Sequence, residues 1–154
     1  MSILEQLYTQ AQTRCLEHGL PYAGALTPTE AFEILKMDGA ARMIDVRTRA
    51  ELDWVGRPAV NANQYSHLEW ISYPTGAPNM AFINQLSEMA TFETPLLLIC
   101  RSAGRSKFAA AAATQAGFTR AFDILEGFEG DKDRHGHRNT INGWRWQGLP
   151  WLGV

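Results

Sequence analysis

The stretch LLLICRSAGRSKFAAAAATQAGF, residues 96–118, decides how this chain is read. Its first four residues are apolar without alternation, the pattern of a strand buried on both faces inside a parallel sheet. Six small, polar or basic residues follow Cys100, among them Arg101, Gly104 and Arg105. The alanine-rich segment after them has strong helix propensity. Gly117 stands where that helix would place its C′ residue. Strand, short loop and helix in this order put Cys100 at the carboxyl end of a strand, where open α/β sheets bind ligands.

Working outward, the alternation continues. Ile3, Leu4, Leu7, Tyr8, Ala11 and Leu16 recur at helical spacing until Gly19 and Pro21 stop them. LTPTEAFEILK predicts a second helix, with Thr27 as N-cap, Pro28 at N1 and Glu30 closing a capping box. ARMIDVRT predicts a strand ending between Asp45 and Arg47, AVNANQYS a weaker strand, and RAFDILEG another. HLEW and PNMAFINQLSEMATF read as helical, the latter bounded by Pro78 and Pro95. Strands alternating with helices imply an α/β domain around a mostly parallel sheet. No repeat, low-complexity segment or linker divides the 154 residues, a length that suits one domain.

Composition narrows the function. With 45% hydrophobic and 19% charged residues the chain is ordinary globular protein, and a net charge of −2 argues against nucleic-acid or membrane binding driven by bulk charge. No apolar run approaches the ~18 residues of a membrane span. Residues 1–20 lack the basic-then-apolar order of a signal peptide, so a cytoplasmic location is expected. The two cysteines, Cys15 and Cys100, lack CxxC spacing and make neither a disulfide framework nor a zinc site. That leaves packing or thiolate chemistry. Cys15, on a helix beside Arg14, is expected to pack or to be partly exposed.

Cys100 is different. Gly104 permits a tight turn or a positive φ, and the free N–H groups of the next helix point back into the loop. Loop amides and a helix N-terminus make an anion site, and Arg101 and Arg105 add two permanent charges. Such surroundings favour the thiolate, which is the nucleophilic form. A cysteine that merely ends a core strand needs no arginine-bearing, glycine-containing turn behind it.

On these residues the chain resembles the single-domain rhodaneses. CRSAGRS looks like the family's active-site loop. MIDVRTRAEL, with Asp45, Val46, Arg47 and Glu51, is similar to its Asp-Val-Arg…Glu segment, and GRPAVNANQYSHLEW to the segment that usually carries Gly-His-Ile. ILEGFEG resembles the Leu-Glu-Gly-Gly turn and GWRWQGLPW the Trp…Gly-Leu-Pro terminus. These motifs lie in register over roughly residues 26–152.

The resemblance implies a central five-stranded parallel sheet with helices on both faces over residues 26–154, preceded by an N-terminal helical extension, residues 1–25. It implies a thiosulfate sulfurtransferase-like enzyme. Cys100 is the expected catalytic nucleophile, carrying a persulfide. Arg101, Ser102, Ala103, Gly104, Arg105 and Ser106 are the expected substrate-binding cradle, with the two arginines on the donor's oxyanion end. The implied partners are a small thiosulfate-like donor and a thiol or protein acceptor, with no nucleic acid, membrane, metal or cofactor.

The chain departs from the family pattern in four places: Arg57-Pro58 replaces His-Ile, the loop carries Ala103-Gly104, Phe128 stands at the second turn glycine, and residues 128–141 are inserted.

Two other readings belong beside this one. A non-catalytic rhodanese module used for binding or regulation is opposed by the intact Cys100, Arg101 and Arg105. A cysteine phosphatase or arsenate reductase would carry Cys-x5-Arg, usually with His before Cys. Here the spacing is Cys-x4-Arg behind Ile99, and the smaller loop suits sulfur better than phosphate.

Elsewhere, Asp45, Arg47 and Glu51 read as a salt-bridged brace. Asp131, Asp133, His135 and His137 begin like a calcium loop, but Asn142 stands at its twelfth position. The inserted segment is expected to be solvated, with a bordering of the Cys100 mouth as the sharper alternative. Trp144, Trp146 and Trp151 are expected to cap the core, one of them at a pocket rim.

Overall fold

A computed structural model describes all 154 residues. Three helices open in the same way. α1 (Ile3–His18), α2 (Pro28–Met37) and α3 (Arg49–Val55) start with reciprocal capping boxes formed by Ser2 with Glu5, Thr27 with Glu30, and Thr48 with Glu51. Each box satisfies backbone donors that a helix start otherwise leaves free. α1 ends at Gly19, in the left-handed region at φ 61°. α4 (Phe82–Met89) and α5 (Ser106–Gln115) have no side-chain cap.

Five strands, β1 (Gly24–Leu26), β2 (Arg42–Asp45), β4 (Tyr65–His67), β5 (Leu96–Ile99) and β6 (Ala121–Ile124), form one sheet in the order β1-β6-β5-β2-β4, with every pairing parallel. A separate antiparallel ribbon joins β3 (Arg57–Pro58) to β7 (Trp151–Leu152).

The central strand explains its own sequence. Leu97 and Ile99 face one apolar cluster with residues of α1 and α2, whereas Leu96, Leu98 and Cys100 face a second with residues of α4 and α5. With both faces covered, alternation has no physical reason to appear. Ala109, Ala110 and Ala113 are fully buried and let α5 lie close against the sheet. The same parity sends the Cys100 side chain toward α5.

Several expectations are corrected here. HLEW is not a helix: His67 ends β4, and Leu68 donates its N–H to the Asp45 carbonyl. AVNANQYS resolves into a short 3-10 turn, Ala62–Gln64, followed by β4. Four elements that the sequence pattern did not reveal, β1, α3 and the ribbon strands β3 and β7, complete the architecture. No helix is long and apolar enough to cross a membrane.

Candidate active site

β2 and β5 are parallel neighbours, so the loops leaving them open side by side at one edge of the sheet. One leads into α3 and the other into α5. Cys100 lies at the end of β5, only 1% exposed, at the base of a cleft of about 680 Å³. Arg101, Ser102, Gly104 and Arg105 line the cleft from the loop, and Thr48, Glu51 and Trp54 line it from the α3 side. Ile71, Tyr73 and Pro74 close the rim. The sulfur is therefore reached through this opening and not from the general surface.

The loop directs donors at the sulfur. The backbone N–H groups of Arg105 and Ser106 each lie 3.4 Å from Cys100 Sγ, and Ser106 Oγ lies 3.3 Å from it. These amides are the uncapped start of α5, so the cysteine sulfur takes the place that Ser or Thr fills in α1, α2 and α3. Donors at a helix start favour an anion there. Ser106 Oγ also stands 2.5 Å from Asp123 Oδ1 on β6, beneath the loop. Burial pushes the Asp123 carboxyl up to about 6, against the opposing pull of the Ser106 hydrogen bond and of Lys107.

Two frames hold the loop in shape. From one side, Arg105 donates to both Glu51 carboxylate oxygens, at 2.6 and 2.9 Å. Burial would raise the Glu51 carboxyl, but Arg105 and Thr48 together hold it down at about 2. From beneath, the turn after β6 carries the loop. Phe128 N–H donates to the Cys100 carbonyl at 2.8 Å, and the Glu129 and Gly130 N–H groups donate to the Arg101 carbonyl. Gly127, at φ 71°, sits so close that an added Cβ would lie 2.5 Å from the Arg101 carbonyl carbon. Phe128 is fully buried, with the Arg47 guanidinium stacked over its ring at 4.4 Å. Arg47 in turn donates twice to Asp45.

The expected site residues are brought together, with differences in role. Cys100, Arg101, Ser102, Gly104 and Arg105 line the cleft, whereas Ser106 is buried behind the sulfur. The left-handed residue of the loop is Ala103, at φ 70°, and not Gly104. Arg105 is occupied by Glu51, while Arg101 is exposed and enters no ion pair. The brace expected of Asp45, Arg47 and Glu51 splits: the first two pair with each other, and Glu51 reaches the cysteine loop.

The inserted segment does not border the mouth. Its first residues hold the underside of the loop, and Asp133 organises a turn by accepting from His135, His137 and Thr140. No group of acidic, His or Cys side chains is placed to hold a metal. Trp144 is fully buried, and the rim tryptophan is Trp54, at 84% exposed. Cys15 is partly buried, its thiol donating to the Leu20 carbonyl at 3.4 Å.

Against known proteins, the rhodanese-like domain model matches residues 27–133. The chain belongs to the rhodanese-like domain family. An uncharacterized protein of Rickettsia rickettsii, the RP600 homolog, is 33% identical over 125 residues, covering 80% of this chain and 92% of its own. The crystal structure of Rv0390 from M. tuberculosis is 39% identical and aligns at a TM-score of 0.79, over 86% of this chain and 99% of that one. A polysulfide-sulfur transferase homodimer from Wolinella succinogenes shares the fold at 20% identity and a TM-score of 0.58, over 100% of this chain and 95% of that one. In this rhodanese-like domain, sequence reasoning missed three contributors to the site: Glu51 as partner of Arg105, Asp123 behind Ser106, and Trp54 at the rim. The signal for the first was present, because Thr48-x-x-Glu51 is a capping-box pattern that marks a helix start.

Proposed function

We propose that the protein is a sulfurtransferase that carries sulfane sulfur on Cys100. The observation that carries this reading is the convergence of two backbone N–H groups and a hydroxyl on the Cys100 sulfur, at the base of a cleft with an unpaired arginine on its lip. Cys100 thiolate attacks the outer sulfur of a thiosulfate-like donor. A new S–S bond forms, and sulfite leaves with the electrons of the bond it breaks. The resulting persulfide keeps its negative charge within reach of the Arg105 and Ser106 amides, in the manner of an oxyanion hole. Arg101 steers the oxyanion end of the donor, while Arg105, locked to Glu51, fixes the shape of the loop and contributes charge. A thiolate or cyanide acceptor then takes the terminal sulfur and regenerates Cys100 thiolate. The sulfur-transferring activity named for the Wolinella relative agrees with this assignment.

Steady-state thiosulfate:cyanide kinetics test it. Wild type is expected to form thiocyanate, and Cys100→Ser to form none. Arg101→Ala is expected to raise KM for thiosulfate about tenfold, the scale of one charged contact. A folded wild type without turnover would instead favour a binding module. Hydrolysis of p-nitrophenyl phosphate lost in Cys100→Ser would favour a phosphatase.

A further inference from the structure

Behind the sulfur lies a polar chain that the sulfur-transfer scheme does not use. Cys100 Sγ, Ser106 Oγ and Asp123 Oδ1 follow one another at 3.3 and 2.5 Å, and all three residues are at most 2% exposed. Ser106 has one hydroxyl hydrogen. It can donate it to the carboxylate or to the sulfur, but not to both. A thiolate and a carboxylate this close, out of water and bridged by one hydroxyl, strongly disfavour being charged together.

We propose that Cys100 and Asp123 share a single proton through Ser106, so that Asp123 is a positioning residue that sets the charge state of the nucleophile. In the resting state Asp123 is a carboxylate and accepts from Ser106, and Cys100 is a thiol donating to Ser106 Oγ. On activation the S–H bond breaks as that proton joins Ser106 Oγ, and the former Ser106 hydroxyl proton passes to Asp123. The products are a thiolate and a carboxylic acid, with no net gain or loss of protons. Asp123 then donates to Ser106, and Ser106 donates to the sulfur as a third hydrogen bond beside the two amides. Sulfur transfer leaves one negative charge on the sulfur throughout, so the proton stays on Asp123 for the whole cycle.

The neighbours of Asp123 support the assignment. Ala25 on β1 and Leu98 on β5 flank it in the sheet and carry no charge. From α5, Lys107 is the one cation that acts on it. Ahead of β1, burial, with lesser contributions from Asp123 and Cys15, pushes the Tyr22 hydroxyl up to about 12. Burial favours the protonated Asp123 carboxyl and pushes it up to about 6.

The role given to Asp123 rests on the sulfurtransferase reading, but its test does not. The rate of iodoacetamide modification at Cys100, read by peptide mass against pH, is expected to rise in two steps in wild type, one for each proton leaving the pair. In Asp123→Asn, which removes the carboxylate that shares the proton and leaves Ser106 free to donate to sulfur, a single step is expected, its midpoint about one pH unit below the upper wild-type step, a tenfold gain in modification rate below it. Ser106→Ala is expected to slow modification and to reduce the effect of adding Asp123→Asn to less than about threefold. In the other direction, carbon NMR of the Asp123 carboxyl is expected to show a two-step titration in wild type and one step in Cys100→Ala, because the coupling is reciprocal. An Asp123 titration indifferent to Cys100, or one unchanged Cys100 step in Asp123→Asn, would overturn the shared proton. Absence of thiocyanate formation with the coupled titrations intact would overturn only the sulfurtransferase reading.

Discussion

The starts of α3 and α5 sit side by side and solve one physical problem in opposite ways. At α3, Thr48 and Glu51 satisfy the free amides reciprocally, and the start is closed. At α5 no side chain caps the helix, and the amides of Arg105 and Ser106 turn to Cys100 sulfur instead. The closed start serves the open one. Glu51 accepts from Thr48 N–H and also holds Arg105, the N-cap residue just ahead of α5. A helix start is left open to a cysteine sulfur here because no side chain caps it locally, and its shape is imposed from the neighbouring helix.

Breaking the floor of the open start should have the largest effect. Gly127→Ala drives a Cβ into the Arg101 backbone at a positive φ, so the loop or the turn beneath it must move. The expected cost is about 3 kcal/mol or more of stability, by denaturant titration, with loss of most turnover. Breaking the link comes next. Glu51→Gln leaves Arg105 half-buried without its counter-ion and weakens the α3 box, at a cost of about 2–3 kcal/mol.

That link also has a pH signature. Glu51 in the folded protein titrates near 2, below its ordinary value of 4.5. Its contribution is therefore complete above pH 4.5 and is lost as pH falls toward 2; it amounts to at most about 3 kcal/mol, and Glu51→Gln should abolish this acid limb. Asp123 tilts the other way. Its folded value near 6 exceeds the ordinary 3.8, so its contribution is greatest below pH 3.8 and falls by up to about 3 kcal/mol as pH rises through 6. Asp123→Asn should remove that decline and be the more stable protein at pH 7. The smallest effect is expected at Ala103. Relieving its left-handed backbone with Ala103→Gly should raise stability by roughly 0.5–1 kcal/mol, less whatever freedom glycine adds to the unfolded chain.

What was legible in the sequence was what local physics decides. The Thr27, Pro28 and Glu30 start of α2, the unalternating β5 and the Gly117 end of α5 each follow from interactions within a few residues. The four residues of HLEW are too few to distinguish a helix from the end of an edge strand, and β1 has only three residues ahead of a strong helix signal. The pairings that build the site are another matter. Glu51 and Arg105 are 54 positions apart, and Ser106 and Asp123 are 17 apart. Only the order of β2, β5 and β6 in the sheet brings them together. The loop motif marked Cys100 from sequence alone, but nothing in the motif said which charges would face it.

The central claim is that Cys100 accepts and holds a sulfur atom. Intact-protein and peptide mass spectrometry after a brief thiosulfate treatment measures this directly. The account predicts a mass gain of one sulfur on the peptide carrying Cys100, removed by cyanide and absent in Cys100→Ser. No gain at Cys100 in folded protein, or a gain confined to Cys15, would contradict it.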